Sequence, residues 1–180
     1  PLVKVCRVDT LAGAKAAALA GADLLGLHVI RTASRHYWPT RRLTFWRISD
    51  WCKRHVPECQ PVLLTKEEDP VLVASTCEAI GASVVQLHAR YPRRFALELS
   101  NEAHRRGLRL RMIRVIAITP EASADTIRRE ATAWATLGCD LLFDSSYRGG
   151  EGKRIYRWDI LRRVMGELPP DTVSLVAGGL

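Results

Sequence analysis

Two hydrophobic rhythms alternate along the chain. Short, nearly continuous apolar runs occupy residues 2–6, 24–30, 61–65, 84–88, 110–116, 141–144 and 173–177. Amphipathic stretches of helical length fall between them at 11–20, 40–55, 69–80, 93–106, 123–137 and 158–167. Apolar residues that return every three or four positions bury one stripe of a helix, whereas an apolar run of strand length is buried on both faces. The pattern predicts seven strands separated by six helices. Several helices carry start signals: Asp9 or Thr10 ahead of the first, Asp69-Pro70 ahead of the third and Ser123 ahead of the fifth. A short polar side chain at the cap accepts from the free amides of the first turn, and proline suits the first helical position.

The joints between helix and strand repeat. Gly21 in Leu19-Ala20-Gly21-Ala22-Asp23-Leu24, Gly81 in Ala79-Ile80-Gly81-Ala82-Ser83-Val84 and Gly138 in Thr136-Leu137-Gly138-Cys139-Asp140-Leu141 each close a helix and open an apolar run. Gly107, after Ala103-His104-Arg105-Arg106, is a looser copy. Glycine suits such joints because the residue that ends a helix commonly takes the left-handed conformation.

Apolar strands that are each followed by a helix call for a parallel sheet covered on its helical side. A doubly wound open sheet and a closed barrel share this pattern. The placement of polar residues favours the barrel: Cys6, His88 and Asp144 end different strands and Gly178-Gly179 follow the seventh, and in a barrel those carboxyl ends converge on one mouth. The chain ends at Leu180 with no eighth strand. The reading is a single α/β domain over residues 1–180, a parallel (β/α)8 TIM-type barrel lacking its eighth strand.

Composition narrows the function classes. Apolar residues make up 47% and charged residues 26% of the chain, a globular mix that excludes a disordered or collagen-like protein. No run approaches the ~18 apolar residues of a membrane span, and the N-terminus lacks the regions of a signal peptide. A cytoplasmic protein with no membrane partner is expected. Cys6, Cys52, Cys59, Cys77 and Cys139 are odd in number and scattered. With no Cys-x-x-Cys and no His pair at metal spacing, they read as reduced thiols, and no metal is expected. The excess of 27 basic over 19 acidic residues, a net charge of +8, suits an anionic partner or an Arg-rich solvated surface. Nucleic acid ranks last among such partners, because the arginines are scattered over several helices rather than gathered into one stripe with exposed aromatics.

Candidate chemistry gathers at strand ends. In Leu2-Val3-Lys4-Val5-Cys6 the alternation sends Lys4 and Cys6 to one face. Cys6 reads either as a small buried apolar residue or as a base whose thiolate is favoured by Lys4 and Arg7. Asp144 closes an apolar run and either caps the next turn or acts as an acid. It is followed by Ser145-Ser146-Tyr147-Arg148-Gly149-Gly150-Glu151-Gly152-Lys153. That loop lacks Walker spacing, yet backbone amides of a glycine-rich loop with a lysine can wrap a phosphate. Together with Gly178-Gly179 it reads as one anion site or as two tight turns. Gln86 and His88 share a face, with His88 a proton-transfer group or a hydrogen-bonded structural histidine. Ser34-Arg35-His36-Tyr37 forms a basic, aromatic loop that suits a carboxylated aromatic ligand or is a plain exposed loop. Trp38, Trp46, Trp51, Trp134 and Trp158 read as packing residues.

These motifs, in this order, resemble the phosphoribosylanthranilate isomerase family from Val3 to Leu180. Lys4-Val5-Cys6 resembles its Lys-Ile-Cys-Gly, Gly21-Ala22-Asp23 with Gly26 its Gly-Ala-Asp-x-x-Gly, and Val85-Gln86-Leu87-His88 its Val-Gln-Leu-His-Gly. Asp144 stands at the family's Leu-Asp-Thr, Gly149-Gly150-Glu151-Gly152-Lys153 at its Gly-Gly-x-Gly-Lys, and Ala177-Gly178-Gly179-Leu180 at its Ser/Ala-Gly-Gly-Leu. The resemblance implies an aldose-to-ketose isomerase of tryptophan biosynthesis that performs an Amadori rearrangement without cofactor or metal. It implies Asp144 as general acid on the ring oxygen and Cys6 as general base at C2, both reaching one bound sugar. Phosphate would lie on Gly149, Gly150, Gly152, Lys153, Gly178 and Gly179, and Lys4, Arg7, Arg35, His36, Gln86 and His88 would line the rest of the substrate. The substrate is then a small phosphorylated amino-sugar, and the enzyme a monomer or homodimer.

The chain departs from the family at named places. Arg7 replaces the glycine after cysteine, and Ala89 the glycine after His88. Ser34-Arg35-His36-Tyr37 is one residue longer than Ser-x-Arg-Tyr, Arg154 replaces a threonine, and Leu63 or Leu64 stands for a phenylalanine of the third strand. These changes spare acid, base and phosphate cradle and alter the amine side. Two further readings are an isomerase acting on another phosphoribosyl amine and a silent sugar-phosphate binder.

Overall fold

The computed structural model describes residues 2–29, 37–119, 121–145 and 157–178, and the chain divides into two compact units, Pro1–Arg111 and Met112–Leu180. The first carries β1 (Lys4–Val5), α1 (Leu11–Leu19), β2 (Leu24–Val29), α2 (Tyr37–His55), β3 (Gln60–Thr65), α3 (Pro70–Ile80), β4 (Val84–Leu87) and α4 (Arg94–Arg105). The second carries β5 (Arg111–Ala117), α5 (Ala124–Ala135), β6 (Asp140–Asp144), α6 (Trp158–Gly166) and β7 (Ser174–Ala177). Strands and helices fall where the apolar rhythm puts them, with shifts at their ends.

Within the first unit the strands pair in parallel in the order β1, β2, β3, β4, with Lys4 opposite Leu24, His28 opposite Leu64, and Leu64 opposite Gln86. Within the second they pair in the order β5, β6, β7, with Asp144 between Ala117 and Ala177. A doubly wound sheet reverses its strand order near the first strand. The first unit does not do so, and its order β1 to β4 follows the winding of a barrel. No helix among the described residues is long and apolar enough to cross a membrane.

Local signals act as their chemistry requires. Thr10, rather than Asp9, caps α1 by accepting from the Gly13 amide at 3.1 Å, and Asp9 instead pairs with Arg41 at 3.0 Å. Asp69 accepts from Val71 ahead of Pro70, and Ser123 accepts from Thr126. Gly81 ends α3 at φ 68°, and Gly21, Gly107 and Gly138 also have positive φ. The first strand is shorter than expected, because Arg7 turns the chain out of extended geometry at φ 57°. Its ladder still continues at both ends, through Leu24 donating to the Val3 carbonyl and Val8 donating to that of Gly26.

The core is mainly aliphatic with a few aromatic rings, and among the described residues one arginine lies in it. Arg114, at the centre of β5, is 1% exposed; its guanidinium lies 4.8 Å from the Trp134 ring centroid and 3.2 Å from Glu130. Pairing with a carboxylate and stacking on an aromatic offset part of the desolvation of such a charge. The reading of the tryptophans as packing residues holds for Trp134 and fails for Trp46 and Trp158, which are 46% and 53% exposed. On α2 the buried stripe is Phe45, Ile48 and Cys52, and Trp46 lies off it.

A side chain at the α3 joint tests the backbone requirement alone, since a Cβ on Gly81 would meet only Ser49 at 3.5 Å, an ordinary contact. The left-handed conformation costs about 1–2 kcal/mol for alanine, partly offset by the lower entropy of its unfolded chain. Gly81→Ala is expected to lower unfolding stability by about 1 kcal/mol in urea titration, with an unchanged slope.

Candidate functional site

The carboxyl ends of β1, β2 and β4 assemble one polar face in the first unit. Alternation along a strand sends Lys4 and Cys6 to the same side, and the Lys4 ammonium donates to Cys6 Sγ at 2.7 Å. Gly26 of β2 faces both: a Cβ there would come within 3.2 Å of Cys6 Cα and of Lys4 Nζ, and within 3.4 Å of the sulfur. The missing side chain at Gly26 makes room for the lysine–cysteine contact.

Burial separates Cys6 from the other cysteines. Cys6 is exposed, and Cys52, Cys59, Cys77 and Cys139 are buried. Burial pushes the Cys59 and Cys77 thiols up to about 12 and Cys139 to about 11, and raises Cys52. A thiol reacts as its thiolate, so these four are inert packing groups. Cys6 is the accessible thiol, and the Lys4 ammonium is in contact with it.

His28, two residues beyond Gly26 on β2, shares the face and was not singled out in the sequence. Burial and the neighbouring charges of Lys4, Arg7 and His88 push its pKa down to about 4 against the opposing effect of Asp9. The ring is therefore neutral at pH 7, and its Nε2 is buried with no hydrogen-bond partner among the described residues. Gln86 and His88 hydrogen-bond each other, Nε2 to Nδ1, at 3.1 Å, and Gln86 Oε1 is likewise buried without a partner. Both residues are buried. A polar residue ending an apolar strand was the signal that picked out Cys6, His88 and Asp144; His28 stands inside the run 24–30, followed by Val29 and Ile30, and that signal passes over it.

Arg7 holds φ 57° and is exposed. Left-handed backbone in a residue that is not glycine costs on the order of 1–2 kcal/mol and persists where its surroundings enforce it.

In the second unit Asp144 closes β6 and is buried, with its carbonyl accepting from the Ile118 amide at 2.8 Å. Gly178, after β7, lies against it at φ 102°; a Cβ there would stand 2.7 Å from Asp144 Oδ1, 2.9 Å from Ser145 N and 2.5 Å from Ser145 Oγ. Only glycine fits there. Arg35, His36, Gly149, Gly150, Gly152, Lys153 and Gly179 lie outside the described residues.

The structure thus gathers Lys4, Cys6, Arg7, Gln86 and His88 at strand ends of the first unit, adds His28 to them, and joins Asp144 to Gly178 in the second. Comparison with known proteins bears on what such a chain does. No protein-family profile matches it. The N-(5'-phosphoribosyl)anthranilate isomerase of Chlorobium luteolum is 31% identical over 188 residues, 99% of this chain and 76% of its own. That of Pelobacter propionicus is 26% identical over 178 residues, 99% and 74% respectively. The crystal structure of phosphoribosyl anthranilate isomerase from Thermotoga maritima superposes with a TM-score of 0.75 at 19% identity, covering 99% of this chain and 77% of that one. With strands in chain order, this likeness makes the fold a (β/α)8-type barrel traced through its seventh strand.

The depressed His28 pKa fixes the sign of an acid effect. The unfolded chain takes up the proton near pH 6.5 and the folded one only near pH 4, so this residue's share of stability is present above pH 6.5 and is lost as the pH falls towards 4. In calorimetry, Tm is expected to drop less steeply between pH 6.5 and 4.5 for His28→Leu than for the parent.

Proposed function

Because this chain belongs to the N-(5'-phosphoribosyl)anthranilate isomerase family, we propose that it converts an N-(5-phosphoribosyl) arylamine, with anthranilate the amine, to the open-chain aminoketose phosphate, a step of tryptophan biosynthesis. Cys6 and Asp144 are the catalytic residues of this proposal. The observation that carries it is the Lys4 ammonium on the sulfur of the one exposed cysteine.

The reaction needs an acid and a base acting on one sugar. Asp144 delivers a proton to the ring oxygen, the C1–O bond opens, and a cationic imine remains at C1. The Cys6 thiolate removes the C2 proton, and the released electron pair neutralises the imine to give an enolamine. The enol hydroxyl then gives up its proton as C1 gains one, and the ketone forms. Substrate and product are isomers, so every proton and electron pair is balanced between the substrate and two side chains. General acid and general base of this kind each contribute roughly 10²–10⁴-fold.

Phosphate is assigned to the backbone around Gly150, Gly152, Gly178 and Gly179, with Lys153 as point charge. The tight seat of Gly178 against Asp144 and Ser145 supports this, because it keeps side chains away from the end of β7 and lets a ligand approach the backbone. Gln86, His88, Arg7, Arg35 and His36 are assigned to the sugar and amine. The excess of basic residues suits a substrate with both phosphate and carboxylate. The proposal includes one barrel domain over residues 1–180, a monomer or homodimer, working in the cytoplasm.

Loss of anthranilate-type fluorescence on mixing with phosphoribosylanthranilate measures turnover directly. Cys6→Ser and Asp144→Asn are each expected to lower kcat by about 10²-fold or more, and Lys4→Met by a smaller factor, on the order of tenfold. Unchanged turnover in the Cys6 or Asp144 variant removes that residue from its role. Saturable binding of a product analogue by a parent protein that shows no turnover would establish a silent binder instead.

A further inference from the structure

We propose that His28 is a substrate-contacting residue that donates a hydrogen bond from Nε2 to the carboxylate of the arylamine. This inference rests on the reading of the site given above. It begins from placement: His28 shares its sheet face with Gly26, whose open side accommodates Lys4 and Cys6. His28 lies two residues closer to the strand's carboxyl end, about 6.6 Å further along the strand axis. A substrate whose C2 lies at the Cys6 sulfur carries its amine and aryl ring on the adjoining C1, and an ortho carboxylate beyond that. Along the strand axis the imidazole follows the sulfur in the same order as the carboxylate follows C2.

The second observation is the pair of unsatisfied atoms. Among the described residues His28 Nε2 and Gln86 Oε1 are both buried without partners, and they stand on strands either side of Leu64, which is opposite His28 on one side and opposite Gln86 on the other. A buried polar atom without a partner is destabilising by about 1–3 kcal/mol. Two of them on one face mark a place that a polar ligand completes. Gln86 Oε1 can only accept, so it suits an N–H or hydroxyl of the ligand. His28, in the tautomer with hydrogen on Nε2, suits an oxygen.

Charge selects which oxygen. Lys4, Arg7 and His88 bear on the ring as positive charges, and Asp9 opposes them. A donor in that setting prefers an anion to a hydroxyl. The substrate has two anionic ends, and the phosphate is assigned to the glycine-rich segments after β6 and β7, which leaves the carboxylate. A neutral imidazole gives a directional contact without adding another cation beside Lys4 and Arg7.

The test compares the parent, His28→Leu and His28→Gln on phosphoribosylanthranilate and on phosphoribosylaniline, which lacks the carboxylate. For the carboxylated substrate His28→Leu is expected to raise KM about tenfold with kcat within about twofold, as for the loss of one hydrogen bond to a charged group. His28→Gln should recover part of that loss, and on the aniline substrate the three proteins should differ by less than about twofold. At pH 7.5 the Tm of His28→Leu should equal or exceed the parent's, because leucine removes an unsatisfied atom, whereas a merely structural histidine would leave a lower Tm. Equal KM in parent and His28→Leu, or an equal loss on both substrates, overturns the assignment while leaving the isomerase reading intact. A parent that turns over neither substrate overturns both.

Discussion

Gly26 and Cys6 meet because β1 and β2 run parallel in register, and that register decides which side chains share a face. Lys4 lies opposite Leu24, so every second residue of either strand points the same way, and the face collects lysine, cysteine, glycine and histidine. The opposite parity, Leu25, Leu27, Leu63, Val85 and Leu87, is fully buried. A slip of one residue would exchange the two sets, placing the polar ends in the packed layer and the leucines where the polar groups now stand. Burial of that second set is thus what holds the chemistry in place.

The acid and the base of the proposed reaction live under different local rules. Cys6 is exposed and in contact with an ammonium; Asp144 is buried at a strand end, with glycine pressed against its carboxylate. Arg7 takes a left-handed conformation directly after Cys6, at the position where the family has glycine. Glycine would adopt that turn without strain, and arginine does not. Such strain beside a reacting group is a common mark of functional segments.

Much of the architecture was legible because parallel strands buried on both faces leave uninterrupted apolar runs, and because glycine marks the joints. The cap of α1 and the length of β1 were less so: Asp9 and Thr10 are equally good caps on paper, and the turn at Arg7 follows from backbone geometry that no periodicity encodes. Arg114 breaks an apolar run, yet it is buried, since Trp134 and Glu130 arrive from a helix that begins seven residues after the strand ends. Trp46 was misjudged because helical spacing says that a residue belongs to a face without saying which face is covered. At the site, motif order marked Cys6, Gln86, His88 and Asp144. His28 was hidden inside an apolar run, where it matched no motif, and its unsatisfied nitrogen is a property of the folded neighbourhood alone.

The contrast among the five cysteines reaches beyond chemistry at the sugar. A thiol-alkylating reagent meets a native chain with a single open cysteine, and meets the other four only once the packed layers separate. Cys6 is therefore a built-in attachment point for a dye or spin label, and the number of adducts per chain, read by mass, counts how much of the fold has opened.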